Sequence, residues 1–390
     1  MEVQNQIFTK RFNLLFISNL TVFLVFYALL TIFPLYVIQT LNGTQDQAGL
    51  LVTAFMISAI VVRPFSGKLL DIYGKKRLLV AGSIFYLICT LLYTTIDSLS
   101  ILFAIRFLQG ASFSIVTTGC MALAADTIPA HRKGAGLGYF MMSSNLAIVL
   151  GPLVGLLLMK YVDFEMVFVA FGFIMLIGTI TGISIKTDDL PKPNRQAKMT
   201  FKLHDLFEMK AMPIAIIGLA VSFTYTTILS FMSLYAEEKD LLEAASYFYI
   251  VFAAAMMFIR PIAGKLFDVK GPKFIIVPAL IVYAIGLVIM AQLQSSLGLV
   301  LSAIVIGIGF GTVSAGLQTQ AVQSAAASRS SYVTATYFTL YDAGIALGSY
   351  IFGLVILYFK FAVIYQLAAI IVIFILIAYI WYMRNSKVTV

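Results

Sequence analysis

Apolar runs long enough to cross a bilayer alternate with short polar breaks along the whole chain. Twelve runs can be drawn, at about 13–38, 48–70, 77–96, 99–125, 136–159, 165–185, 212–236, 244–267, 273–294, 298–321, 332–358 and 361–383. A hydrocarbon core of about 30 Å needs about 20 residues of helix. Each run therefore predicts a membrane-spanning helix, and the chain an all-α membrane protein. Most breaks are short. The exception is 186–211, polar and rich in Lys and Asp, between runs six and seven. The expected organisation is an N-terminal six-helix half at 1–185, a cytoplasmic linker at 186–211 and a C-terminal six-helix half at 212–390.

The two halves share sequence. Residues 63–76 read RPFSGKLLDIYGKK and residues 260–273 read RPIAGKLFDVKGPK, identical at eight of fourteen positions with an offset of 197. The pairs include Gly67/Gly264, Asp71/Asp268 and Gly74/Gly271. At the same offset AIVLGPLVG (147–155) meets GIALGSYIF (344–352), so that Gly151 aligns with Gly348, Asn145 with Asp342 and Arg132 with Arg329. Leu35-Tyr36 matches Leu234-Tyr235 at an offset of 199. A hydrophobic chain built twice, with a charged loop after the second helix of each half, implies a two-lobed membrane transporter.

Composition sharpens this picture. Only 11% of residues are charged and 61% are hydrophobic, against about 25% charged in a soluble domain. The partner is therefore the lipid bilayer. The formal net charge of +9 is spread over short loops, which argues against nucleic acid and for a topology signal. With the N-terminus in the cytoplasm, 22 of the 26 Lys and Arg residues fall on the cytoplasmic side, only Lys160, Lys239 and Lys360 fall outside, and Arg106 lies within a helix. Both termini are thus expected to be cytoplasmic, in a multi-pass protein of the cell (plasma or inner) membrane. Lys10-Arg11 opens an apolar stretch too long for a cleaved leader. Cys89 and Cys120 both sit in apolar runs and imply no disulfide framework. His131 and His204 lie in loops, and no Gly-x-x-x-x-Gly-Lys-Ser/Thr loop appears. No catalytic set, metal site or cofactor is expected, and ATP is not the expected energy source.

At the level of motifs the whole chain resembles the major facilitator superfamily. GKLLDIYGKKR (67–77) is similar to that family's loop 2–3 signature, and GKLFDVKGPK (264–273) to its weaker second copy between helices eight and nine. Asp126-x-x-Pro129-x-x-Arg132 matches the pattern at the end of helix four. Arg106-Phe107-Leu108-Gln109-Gly110 resembles the helix-four motif Arg-x-x-x-Gly. Gly151-Pro152-Leu153-Val154-Gly155 resembles the helix-five antiporter motif, with Leu156 where a second glycine usually follows. The pattern most resembles the bacterial twelve-helix drug–proton antiporters, although helix one carries no acidic residue. The resemblance implies two pseudo-twofold-related six-helix halves, alternating access and a monomer. It also implies a conformational latch, with Gly67 and Gly264 at close helix approaches. Asp71 would lie near the N-terminus of helix eleven, with Arg77, Arg132 and Asp126 as an ion-pair network around it, and Asp268 would repeat this in the second half. In the antiporter branch, a bend at Gly151, Pro152 and Gly155 limits proton leak.

Two ionisable residues stand inside predicted helices. Arg106 is roughly 10 Å below the outer end of helix four, where a charge needs a polar cavity or partner. It reads as a cavity cation that binds an anionic substrate group or tunes a carboxylate, or else as a side chain snorkelling outward. Asp342 is the only one of 17 carboxylates deep inside a run. Burial favours the neutral form of a carboxylate, so an acid that changes exposure can carry a proton. Asp342 is accordingly the coupling candidate, with Arg106 beside it in that role; a structural partner of a tyrosine or basic residue, or a contact to a cationic substrate, are the alternatives. Further cavity candidates are Asn19, Tyr27, Thr31, Gln109, Ser112, Asn145, Tyr225, Ser230, Tyr337 and Tyr341. The leading expectation is a proton-coupled exporter of small amphipathic compounds, as in drug resistance or metabolite efflux. The rivals are a symporter importing a metabolite and a non-transporting membrane sensor.

Overall fold

The computed structural model describes residues 6–186 and 206–385. Residues 187–205, most of the linker expected at 186–211, lie outside the described residues, as does Lys387. Among the described residues twelve helices are long and apolar enough to cross a membrane, in line with the twelve runs. They are α1 (Lys10–Gln39), α2 (Gln45–Tyr73), α3 (Lys75–Leu92), α4 (Leu99–Thr127), α5 (Lys133–Met159), α6 (Phe164–Ile183), α7 (Met212–Glu238), α8 (Leu242–Lys270), α9 (Pro272–Ala291), α10 (Ser296–Gln323), α11 (Ser330–Ile356) and α12 (Phe361–Asn385). Helices satisfy every backbone group internally, which hydrocarbon demands. Side chains hold some of the starts: Thr9 Oγ1 accepts from the N–H of Phe12 at 3.2 Å, and Thr44 forms a capping box with Gln47.

The charged repeat corrects one expectation. It is not a loop. α2 runs on through Arg63 and Asp71 to Tyr73, and α8 through Arg260 and Asp268 to Lys270. The polar stretch continues the helix beyond the apolar run, through Pro64 and Gly67 in one copy and Pro261 and Gly264 in the other, and stops only where a glycine takes a positive φ. Gly74 (φ 94°) and Gly271 (φ 81°) then make the whole connection, one residue each. A side chain is strained at such a φ, which explains why both copies keep glycine there.

The described residues pack as two compact units. One comprises Met1–Pro129, Ser143–Glu208 and Ala325–Thr336, and the other Ala130–Met142, Met209–Ser324 and Tyr337–Val390, each counted over its described residues. In the first, α1 packs on α2, α4 and α6, α2 on α4, and α3 on α4 and α6. In the second the same pairs recur six helices on: α7 with α8, α10 and α12, α8 with α10, and α9 with α10 and α12. The cores repeat as well. Phe26, Phe55 and Phe113 form an aromatic triad with centroids 4.9–5.3 Å apart. Tyr225, Phe252 and Phe310, at offsets of 199, 197 and 197, form its counterpart with Tyr225 stacked 4.0 Å from Phe310. Cys89 and Cys120 are free and buried.

Candidate functional site

The first unit buries a cation. Arg106 on α4 is 0% exposed, so the outward-snorkelling alternative does not hold here. Its guanidinium carbon lies 4.8 Å from the ring centre of Phe33 on α1 and 4.4 Å from that of Phe55 on α2. Each such contact contributes about 2 kcal/mol when desolvated, which offsets much of the charge's cost. Hydrogen bonding is less complete. Nη1 donates to Gln109 Oε1 at 2.8 Å. Gln109 Oε1 also accepts from the Tyr93 hydroxyl at 2.7 Å, and Gln109 Nε2 donates to Thr90 Oγ1 at 3.0 Å. Arg106 Nε and Nη2, and the hydroxyl of the fully buried Tyr86, have no hydrogen-bond partner among the described residues. The repeat-equivalents of Tyr93, Arg106, Gln109 and Thr90 are Met290, Ala303, Ile306 and Leu287. The same fold position is thus filled by apolar groups in the other half, so packing alone does not call for the polar cluster.

At the ends of α2 and α4 the first unit holds a charged network. Lys75, the first residue of α3, donates to Asp126 Oδ2 at 2.5 Å and to Ser330 Oγ, at the start of α11, at 2.7 Å; Ser330 donates in turn to Asp126 Oδ1 at 2.7 Å. Asp71 accepts from the Tyr332 hydroxyl at 3.3 Å. The Tyr332 ring carries the Arg329 guanidinium 4.3 Å above its centre, and Arg329 pairs with the buried carboxylate of Glu208. The Glu208 N–H donates to Thr336 Oγ1 at 2.8 Å. Arg77 is exposed and outside this network. Successive helical residues are about 100° apart, so Lys75 and Arg77 point to opposite sides of α3 and only one can reach Asp126. A Cβ on Gly67 would lie 2.9 Å from the Ser331 carbonyl oxygen, so α2 and the start of α11 touch backbone to backbone.

The second unit carries the counterpart. Both carboxylate oxygens of Asp268 accept from the first turn of α5, from the N–H of Gly134 at 2.7 Å and of Ala135 at 2.9 Å. An anion there meets otherwise unpaired donors and the positive helix end. Arg132 is exposed, and its charge acts on Asp268. A Cβ on Gly264 would lie 2.3 Å from the Gly134 carbonyl oxygen. Arg260 is buried and donates to the Met141 carbonyl and to Ser314 Oγ, each at 3.2 Å. Asp342 lies mid-way along α11, half-buried. Tyr337 stacks on Tyr341 with centroids 6.1 Å apart, and its hydroxyl faces the Ser314 carbonyl at 3.5 Å.

The remaining candidates are dispersed. Asn19 Nδ2 donates to Ser143 Oγ at 2.8 Å, and Ser112 Oγ to the Gly82 carbonyl at 2.7 Å. Thr31 bonds to the Tyr27 carbonyl one turn back at 3.2 Å, and Tyr27 packs on Phe23 and Phe26. Asn145 is buried, with Nδ2 unpartnered among the described residues. Tyr225 is taken up by its aromatic stack, and Ser230 is exposed, 3.2 Å from Ser349 Oγ. Gly151 abuts Tyr27 and Ala28 of α1, Gly155 abuts Ile32, and Pro152 stands inside a continuous α5. Sequence reasoning missed Glu208, Ser330 and Tyr332, which look like loop or helix-face residues until the chain folds. It also missed Gln318 on α10, 2% exposed with both ends of its amide unpartnered among the described residues.

Known proteins agree with this architecture. The profile of the Major Facilitator Superfamily matches residues 15–349. An uncharacterized MFS-type transporter of Methanocaldococcus jannaschii is 24% identical over 322 residues, 81% of this chain and 83% of that one. The quinolone resistance protein NorA of Staphylococcus aureus is 31% identical over 144 residues, 36% of this chain and 37% of NorA. The crystal structure of the human organic anion transporter MFSD10 (TETRAN) superposes with a TM-score of 0.83 at 13% identity, covering 95% of this chain and 98% of that one. The chain belongs to the major facilitator superfamily.

Proposed function

We propose that this major facilitator transporter is a proton-coupled secondary active transporter that exports small amphipathic compounds by alternating access. It works as a monomer in the cell membrane, with both termini in the cytoplasm. The observation that carries the reading is Asp342, among the described residues the one carboxylate mid-way along a spanning helix, half-buried in α11 beside Tyr341. A carboxylate held between water and low dielectric changes protonation as its surroundings open and close. The stretch similar to a quinolone resistance protein supports export as the direction. Gly151-Pro152 on α5 supports antiport. The network of Lys75, Asp126, Asp71 and Tyr332 serves as the latch: it holds the first turns of α11 in one state and releases them in another, and Asp268 does the same for α5.

Proton movement in proteoliposomes tests this. A pH gradient is imposed, a pH dye is trapped inside, and cationic, zwitterionic, neutral and anionic amphipaths are added to wild type and to Asp342→Asn. Proton flux opposite to the compound, lost in Asp342→Asn while binding persists, is the expected result. Flux in the same direction as the compound would make the protein an importer. Unchanged coupling in Asp342→Asn would remove Asp342 from the mechanism.

A further inference from the structure

A guanidinium offers two faces and distinct hydrogen-bonding edges. At Arg106 the guanidinium carbon stands over the rings of Phe33 and Phe55, and Gln109 takes Nη1. Nε and Nη2 are left without a partner among the described residues, on a side chain with no exposed surface. Those two nitrogens form the side-on fork of arginine, whose parallel N–H groups match the two oxygens of a carboxylate. Gln109 cannot turn to fill the fork, because its oxygen already accepts from Tyr93 and its nitrogen donates to Thr90. The Tyr86 hydroxyl, fully buried, is also without a hydrogen-bond partner among the described residues. Arg106 supplies donors only, Tyr86 adds one more, and a carboxylate is a ligand that only accepts.

Electrostatics point the same way. α1 contains no acidic residue, and the acids of α2, α3 and α4, Asp71 and Asp126 among the described side chains, stand at helix ends in the Lys75 and Tyr332 network. The unit's part of α5 holds no acid and α6 holds Glu165 only in its first turn, so among the described side chains the membrane interior of this unit carries a cation without a countercharge of its own. Aromatic rings beside the fork add apolar surface next to the charge.

We propose that the Arg106 fork is the recognition point for a carboxylate on the transported compound, so that the substrate class is amphipathic organic acids. This rests on the transporter reading above and narrows it. In the present conformation Arg106 has no exposed surface, and Phe33 and Phe55 pack against its guanidinium. The acid binds in the conformation of the cycle in which α1 and α2 move from α4 far enough to admit a carboxylate.

Three probes with one apolar body separate the charge from the body: naphthoate, naphthylmethanol and naphthylmethylamine. Their binding to the purified full-length protein is measured by isothermal titration, without any gradient. Naphthoate should bind about tenfold or more tighter than the other two, the ratio for one charge-assisted hydrogen bond. Arg106→Lys keeps the charge but loses the fork, and should abolish most of that preference. Equal binding of all three probes, or preference for the amine, overturns the proposal on wild-type protein alone, whatever the variant does. Undiminished preference in Arg106→Lys overturns it too. If naphthoate is preferred but no amphipath moves protons in liposomes, the site stands and the export reading falls. If the amine is preferred and exchanges with protons, the export reading stands and the site falls.

Discussion

A buried arginine is held by many small contacts, and Gln109 is the one that gives Arg106 its orientation. An intramembrane side-chain hydrogen bond contributes only about 0.6 kcal/mol on average. Losing Gln109 Oε1 is different, because two buried donors, Arg106 Nη1 and the Tyr93 hydroxyl, lose their acceptor together. Leaving a buried polar group unpaired costs about 1–3 kcal/mol. Gln109→Leu should therefore destabilise the protein by about 2 kcal/mol or more, far beyond Tyr93→Phe, which removes a donor and leaves no orphan of its own. Thermal unfolding in detergent reads both. A double-mutant cycle should show the pair strongly coupled, since Tyr93→Phe removes one of the two groups that Gln109→Leu strands. Additive losses would mean that Gln109 does not orient the cluster. The residues of this cluster were partly legible in the chain. A cation in an apolar run is visible without a structure, and so is a glutamine one turn away. Phe33, Phe55, Tyr86, Thr90 and Tyr93 come from α1, α2, α3 and the turn after α3. Their convergence depends on helix register and rotation, which hydropathy does not encode.

At the scale of elements, the repeated motif is a device for bringing two helix starts against two helix ends. Gly67 admits the start of α11 and Gly264 the start of α5, and Asp71 and Asp268 stand four residues on, one helical turn further. The two copies are not equally tight. An added Cβ meets the Ser331 oxygen at 2.9 Å in the first copy but the Gly134 oxygen at 2.3 Å in the second. Backbone cannot swing aside as a side chain does, so Gly264→Ala should lower the unfolding temperature more than Gly67→Ala. Thermal unfolding of the two variants decides it, and a larger loss at Gly67 would reverse the ranking. The acids differ as well. Asp268 caps backbone N–H groups, whereas Asp71 takes a tyrosine hydroxyl and leaves the start of α11 to Ser330, Asp126 and Lys75. Lys75→Met removes both Lys75 bonds while keeping chain length. It should raise reactivity of a cysteine at Ser330 toward a water-soluble maleimide, compared with Ser330→Cys alone. The single-residue breaks at Gly74 and Gly271 show why the motif reads as a loop: charge density is visible in sequence, but helix continuation through charged residues is decided by the backbone.

For the whole molecule, the helix count and the twofold repeat were the most legible features, since the bilayer fixes helix length and duplication leaves matching residues. Orientation is a different kind of inference. It rests on 22 of 26 basic residues falling on one side, a bias that membrane insertion reads directly. The structure adds a physical consequence. If each helix crosses once, the ends of α2 and α4, with Asp71, Lys75 and Asp126, lie on the same side of the bilayer as the start of α1. If that side is the cytoplasm, Arg106, seven residues into α4 from its other end, lies in the outer half of the membrane, toward the side to which an exporter delivers its cargo. A carboxylate released from the fork would then leave along a short path. Fusing green fluorescent protein or alkaline phosphatase to the C-terminus tests the premise in bacterial cells. Fluorescent fusions and inactive phosphatase are expected. The opposite pattern would place the charged networks outside and turn the Arg106 fork toward the cytoplasm. The same binding geometry would then favour capture from the cell interior rather than release to the outside.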